Sequence, residues 1–216
     1  MTSERVELSP AYRTVVGIGG VFMRMSRIRV TGSECLPLSG PTVLIANHDS
    51  NWDPIAIAYA ARHRRQLQAL AKSTLWNNKI MGRVLDGMGQ IPIERGASNR
   101  DAIATAVQVL ADGGCIGVFP EGTRSLGREL RARSGAGRLV LAVPGTTLVC
   151  ARVTGTTDRV WLPGGASIAV EFFRPAGGQA RPDEGASELV IRLLAEIRDG
   201  APPVSPKRRT RGPSTG

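Results

Sequence analysis

Aromatic residues make up only 4% of the 216 residues, and histidine and cysteine are scarce, with two and three copies. So few aromatics, and no recognisable nucleic-acid-binding motif, argue against a nucleic-acid partner. The two histidines, His48 and His63, supply too few ligands of the preferred types for a metal site, so neither metal nor cofactor is expected. Three widely spaced cysteines cannot all pair, and Cys115 and Cys150 each lie in an apolar run that reads as a buried strand. A reduced, cytosolic chain with structural thiols is the expectation. Long apolar runs are missing too. Thr14 to Met23 is the longest early uncharged stretch, and its ten residues include three glycines, whereas a spanning helix needs about 20 apolar residues. The start MTSERVELSP lacks the apolar region of a secretory signal. Neither a membrane crossing nor secretion is expected.

What is present is positive charge. The formal net charge is +10, of which Lys207, Arg208, Arg209 and Arg211 supply four, leaving +6 for the rest. That balance favours an anionic partner, whether a membrane surface, a phosphorylated substrate or nucleic acid. With 42% apolar residues and no repeat, residues 1–200 read as one domain, followed by a disordered Pro- and Arg-rich tail over 201–216. Ser9-Pro10 is a helix start. Over 10–26 it places Val15, Val16, Ile18, Val21, Phe22 and Met25 among Arg13 and Arg24, with Arg27 and Arg29 following. Such a stripe suits an interfacial helix on an anionic membrane, and equally a helix packed on the domain core.

Further on, strand-like runs alternate with helical patterns. Strands are expected at 42–46, 67–71, 90–93, 115–119, 147–153 and 167–172. Helices are expected from Pro54, from Thr74, over 99–111, and in a last segment whose Leu189, Val190, Leu193, Leu194 and Ile197 form a stripe ending at Gly200. This alternation predicts an α/β fold with a mostly parallel sheet flanked by helices. Ligands of such sheets collect at the carboxyl ends of the strands. Two polar clusters fall there: Asn47 to Asp53, and Glu121 to Ser125.

In the first cluster, His48 precedes Asp53 by five residues. Chance alone puts an Asp at a given offset in ~5% of cases, so the pair needs a geometry that unites it. One helix cannot, since five residues rotate about 140°. Asp53-Pro54, however, reads as an N-cap followed by Pro at the first helical position. The loop over 48–52 can then fold the carboxylate onto the imidazole, giving a general base with its orienter. No Ser or Cys stands out as a nucleophile, so an acceptor hydroxyl would attack directly. The second cluster offers Gly122 for close backbone approach, Arg124 as a planar fork for phosphate, and Glu121 as a carboxylate able to fix that arginine or accept a hydroxyl. Lys72 and Arg95 add cations at other strand ends.

Several blocks together resemble the glycerolipid acyltransferase family over most of residues 28–199. They are AsnHisAspSerAsnTrpAsp (47–53), AlaLysSerThrLeuTrp (71–76), GlyGlnIleProIleGluArg (89–95) and PheProGluGlyThrArgSer (119–125). The resemblance implies acyl transfer from a thioester of coenzyme A or acyl carrier protein to the free hydroxyl of a lysophospholipid, close to 1-acyl-glycerol-3-phosphate acyltransferases. It makes His48 the general base and Asp53 its orienter. Arg95, Glu121, Gly122, Thr123 and Arg124 fall on the acceptor-binding blocks, and Lys72 is a further phosphate contact. A peripheral habit at the inner face of the cell membrane is also implied. Two departures bear on acceptor and acyl-chain choice. Cys150 stands where the family usually has a proline, and Ala132-Arg133 where it often has an aromatic-Lys pair. Two other readings remain open: the same chemistry on another lysophospholipid, an aminolipid or a glycolipid, motivated by Arg152 and the Arg-rich stretch 128–138, and a non-catalytic protein that binds anionic membrane or nucleic acid.

Overall fold

The run Thr42–Ala46 has no charge and only one hydroxyl side chain, the composition of a strand buried on both faces. All five residues are buried, and their alternation divides the core in two. Leu44 and Ala46 join one cluster, whereas Val43 and Ile45 join the other. The computed structural model describes residues 7–94, 100–156 and 167–205.

In chain order the elements are α1 (Pro10–Met25), β1 (Arg29–Thr31), β2 (Thr42–Ala46), α2 (Asp53–Ala61), β3 (Gln68–Lys72), α3 (Lys79–Gly87) and β4 (Ile91–Ile93). They continue with α4 (Arg100–Ala111), β5 (Cys115–Val118), α5 (Gly135–Ala142), β6 (Thr147–Thr154), β7 (Ala169–Phe173) and α6 (Ala186–Gly200). The strands form one sheet in the order β1-β7-β6-β2-β5-β3-β4. Every pairing is parallel except β6 with β7. This is the expected mostly parallel sheet. Helices α1 and α2 cover one face, and α4, α5 and α6 the other.

Three elements differ from the sequence expectation. The three-residue β1 and the helix α5 were not anticipated, and the helical stretch from Thr74 divides into a 3₁₀ turn (Ser73–Asn77) and α3. An edge strand this short has no apolar alternation to read, and α5 starts on Gly135 with no side-chain cap from Ser134. Asn99, the expected start of α4, lies outside the described residues, as does the tail over 206–216.

Ser9 caps α1 as expected, its hydroxyl accepting from the Tyr12 N–H, with Pro10 at the first position. The helix is packed on the domain, one of its two sequence readings, and keeps an exposed apolar side. One face packs on α2, where Gly19 and Gly20 admit Ile55 and Tyr59 so closely that an added Cβ would stand 2.5 and 2.6 Å from their side chains. The other face leaves Ile18 60% and Val21 52% exposed, beside Met25 and the exposed Arg13 and Arg24. Phe22 also touches Trp52 of the loop after β2, with ring centroids 5.7 Å apart. Among the described residues no helix is long and apolar enough to cross a membrane.

Because β2 and β5 are parallel neighbours, their carboxyl ends open on the same edge. From there the chain leaves in different directions, through α2 on one face and α5 on the other. Connections diverging in this way leave a crevice at the strand ends, and both polar clusters lie in it.

Candidate active site

The loop over 48–52 folds back, and it joins the two residues that the sequence pairs. His48 Nδ1 lies 3.0 Å from Asp53 Oδ2. A carboxylate can only accept, so Nδ1 carries the hydrogen, and in the neutral ring Nε2 is the atom with the lone pair. Nε2 meets no hydrogen-bond partner among the described residues, and 13% of the side chain is exposed. The imidazole stacks on Phe119, with centroids 4.4 Å apart and 26° between planes.

Asp53 is fully buried. Its role at the helix corrects the sequence expectation, because α2 begins at Asp53 itself, capped by Trp52, and the carboxylate caps nothing in the helix. The side chain turns back into the loop instead. There Oδ2 also accepts the N–H groups of Asp49, at 2.6 Å, and Ser50, at 2.7 Å. On the other side Oδ1 accepts the Thr156 hydroxyl at 2.5 Å. Thr156 follows β6 and is buried, so the position just beyond the expected 147–153 strand supplies a fourth partner.

Asn47 ties this loop to β6, since its amide donates to the Val153 carbonyl and accepts from the Val153 N–H, both at 2.8 Å. The same amide nitrogen donates to Asp49 Oδ2 at 2.9 Å.

Glu121 is buried, and its oxygens serve the protein itself. Oε2 accepts the His48 N–H at 2.8 Å, while Oε1 accepts from Arg198 Nη2 at 2.5 Å and Nε at 3.2 Å. The arginine that Glu121 fixes is therefore Arg198, in the last turn of α6, and not Arg124. Arg198 also reaches Asp49, its Nη1 donating to Oδ2 at 2.9 Å and its Nη2 to Oδ1 at 3.1 Å. Ser125 closes the arrangement: its N–H donates to the His48 carbonyl at 2.8 Å, and its hydroxyl donates to Asp49 Oδ1. Burial pushes the Glu121 carboxyl above the usual carboxylate range, against the hydrogen bonds of Arg198 and His48. Burial also disfavours the Arg198 charge, but Asp49 and Glu121 outweigh it and hold the guanidinium ionised.

The remaining residues of the second cluster lie differently. Gly122 has φ +68, and an added Cβ would stand 2.6 Å from Arg133 Nε, so the backbone there is approached by a side chain of the protein. Thr123 and Arg124 are half-buried and make no hydrogen bond or ion pair among the described residues. Lys72 is exposed at the carboxyl end of β3, on the same sheet edge. Arg95 lies outside the described residues. Arg152 does alternate onto the Cys150 face, but it is engaged away from the crevice. It pairs with Glu171 at 3.1 Å, donates to the Glu196 carbonyl, and lies over the Phe173 ring. Among the described residues no three His, Cys, Asp or Glu side chains gather as a metal site. Cys115 and Cys150 are buried, and burial pushes both thiols up to about 12, which suits packing rather than nucleophilic work.

The arrangement can deprotonate a hydroxyl brought to Nε2, and it offers free cations nearby for an anionic group. A family model described as Acyltransferase matches residues 27–154. A 1-acyl-sn-glycerol-3-phosphate acyltransferase of Streptococcus pneumoniae is 34% identical over 161 residues, which are 72% of this chain and 59% of that protein. One from Borreliella burgdorferi is 31% identical over 135 residues, 61% of this chain and 53% of that protein. The chain spans about half the length of several of the curated relatives it matches. The crystal structure of the 1-acyl-sn-glycerophosphate acyltransferase from Thermotoga maritima superimposes with a TM-score of 0.62 at 19% identity, covering 88% of this chain and 78% of that one. At that identity the likeness is one of fold.

Proposed function

Because the chain belongs to the Acyltransferase family, we propose that it moves a fatty acyl group from an acyl thioester of coenzyme A or acyl carrier protein to the free hydroxyl of 1-acyl-glycerol-3-phosphate, giving phosphatidic acid. The observation that carries this reading is the His48–Asp53 pair, with Nδ1 held by a buried carboxylate and Nε2 without a partner among the described residues.

In the reaction His48 Nε2 takes the acceptor's hydroxyl proton as the oxygen attacks the thioester carbonyl carbon. The tetrahedral intermediate collapses with cleavage of the C–S bond, and the imidazolium returns its proton to the departing thiolate. Asp53 stabilises the imidazolium and prevents the ring from turning. Arg124, with Thr123 and the Gly122 backbone beside it, holds the acceptor phosphate, Lys72 adds positive charge at the carboxyl end of β3, and Arg95 is the further phosphate contact that the family resemblance implies. No protein nucleophile and no cofactor take part.

The exposed face of α1 rests on the membrane that supplies the acceptor. Ile18, Val21 and Met25 enter the interface while Arg13, Arg24, Arg27 and Arg29 meet anionic headgroups, at the inner face of the cell membrane. The alternative acceptors lose one of their motives, since Arg152 is committed to β7 and α6.

A thiol-release assay with an acyl thioester tests the reading. Thiol should appear only when lysophosphatidate is present, and His48→Ala should lower the rate by about 10²- to 10⁴-fold. A folded His48→Ala protein that turns over normally refutes the mechanism, and a strong preference for another acceptor refutes the substrate.

A further inference from the structure

Among the described residues Arg198 is the one cation that touches both polar clusters. Its guanidinium bonds Asp49, in the loop after β2, and Glu121, in the loop after β5. It also donates to the Ala201 carbonyl at 3.0 Å. Those two carboxylates are buried, and the loops that carry them hold the base by its backbone. The His48 N–H is taken by Glu121, and the His48 carbonyl receives the Ser125 N–H. With Asp49 N–H on Asp53, each group that orients the imidazole is one bond away from a partner of Arg198. We infer that Arg198 is a positioning residue for the base, a clamp from the last helix that sets where the His48 ring stands.

Removing the clamp leaves Asp49 and Glu121 buried and facing each other's loops without a counter-charge. Two like charges in such a place separate or take up water, and His48 is suspended between them. With both carboxylates ionised the cluster carries one net negative charge, which also favours the imidazolium formed during proton abstraction.

The kinetic part of the test rests on the proposed acyl transfer, whereas a spectroscopic part does not. Arg198→Lys keeps the charge but loses the fork that spans two carboxylates. Its kcat should fall about 10- to 100-fold, with KM for thioester and acceptor within about twofold, because neither substrate touches Arg198. Val190→Ala, on the same helix but away from the cluster, lowers the melting temperature and serves as the control for a merely structural effect. Its kcat well below melting should stay near that of the parent.

The chain has two histidines, so an imidazole ¹⁵N–¹H spectrum resolves both. Arg198→Lys should move or broaden the His48 signals and leave those of His63, at the far end of α2, in place. An unchanged His48 spectrum, or a kcat that follows stability alone as in Val190→Ala, overturns the inference. If the parent protein shows no thioester activity, the proposed function falls and the spectrum still decides the clamp. Should Arg198→Lys not fold, Glu121→Gln interrupts the same connection from its other end and is read by the same two measurements.

Discussion

Two sets of polar residues at these strand ends are built to different rules. Around His48, nearly every polar atom has a partner within the chain: Asp53 has four, Glu121 three, and Asp49 is shared among Asn47, Ser125 and Arg198. Around Arg124 and Lys72 the opposite holds, since neither makes an ion pair among the described residues. A saturated site fixes geometry before the substrate arrives, which is what a general base needs. An unsaturated one keeps its binding capacity for something else, which is what a ligand site needs. The two kinds of position meet in the loop after β5, where Arg124 stands between Glu121 and Ser125.

Substitutions should separate the two sets. The largest effect is expected from Asp53→Asn, where the amide oxygen still receives the three N–H groups that meet Oδ2 but the negative charge that stabilises the imidazolium is lost. Turnover at saturating substrate should drop by about 10³- to 10⁴-fold, and a loss below tenfold would break the distinction drawn here. Arg124→Ala should act on binding. Loss of a charged hydrogen bond is worth about 1.5–3 kcal/mol, so the acceptor KM should rise about 10- to 100-fold with kcat nearly unchanged. Thermal unfolding of that variant should match the parent, because no described residue depends on Arg124. The smallest change in rate belongs to Thr156→Val, which keeps shape and removes one of the four donors to Asp53. Denaturant titration should show about 1–3 kcal/mol of lost stability alongside a rate only a few-fold lower.

Much of this was legible in the sequence because it is local. The five-residue apolar run of β2, the α6 stripe and the Ser9-Pro10 start each follow from a period or a cap, and their bounds agree to within one or two residues. The His48–Asp53 contact was legible because a helix start at Asp53-Pro54 leaves 48–52 as a loop. The clamp was not, since Arg198 and Asp49 are 149 residues apart and no period links them. A signal did exist. Val190, Leu194 and Arg198 recur every four residues, so a charge falls on the buried stripe of α6. An arginine there must have a buried counter-charge, although in a last helical turn it reads equally as a cation placed to meet the helix dipole. Thr156 escaped for a simpler reason: a hydroxyl just past a strand end carries no pattern at all.

The glycines of α1 bear on how the proposed site would stand relative to its surroundings. Their close packing joins α1 to α2, and α2 is a nine-residue rod, about 13 Å long, whose first residue is Asp53. Phe22 against Trp52 adds a second strut to the same loop. The helix proposed to rest on lipid and the carboxylate that steers the base are therefore parts of one rigid bracket. On the proposed membrane placement, its dimensions set the height above the bilayer at which the acceptor hydroxyl meets the base.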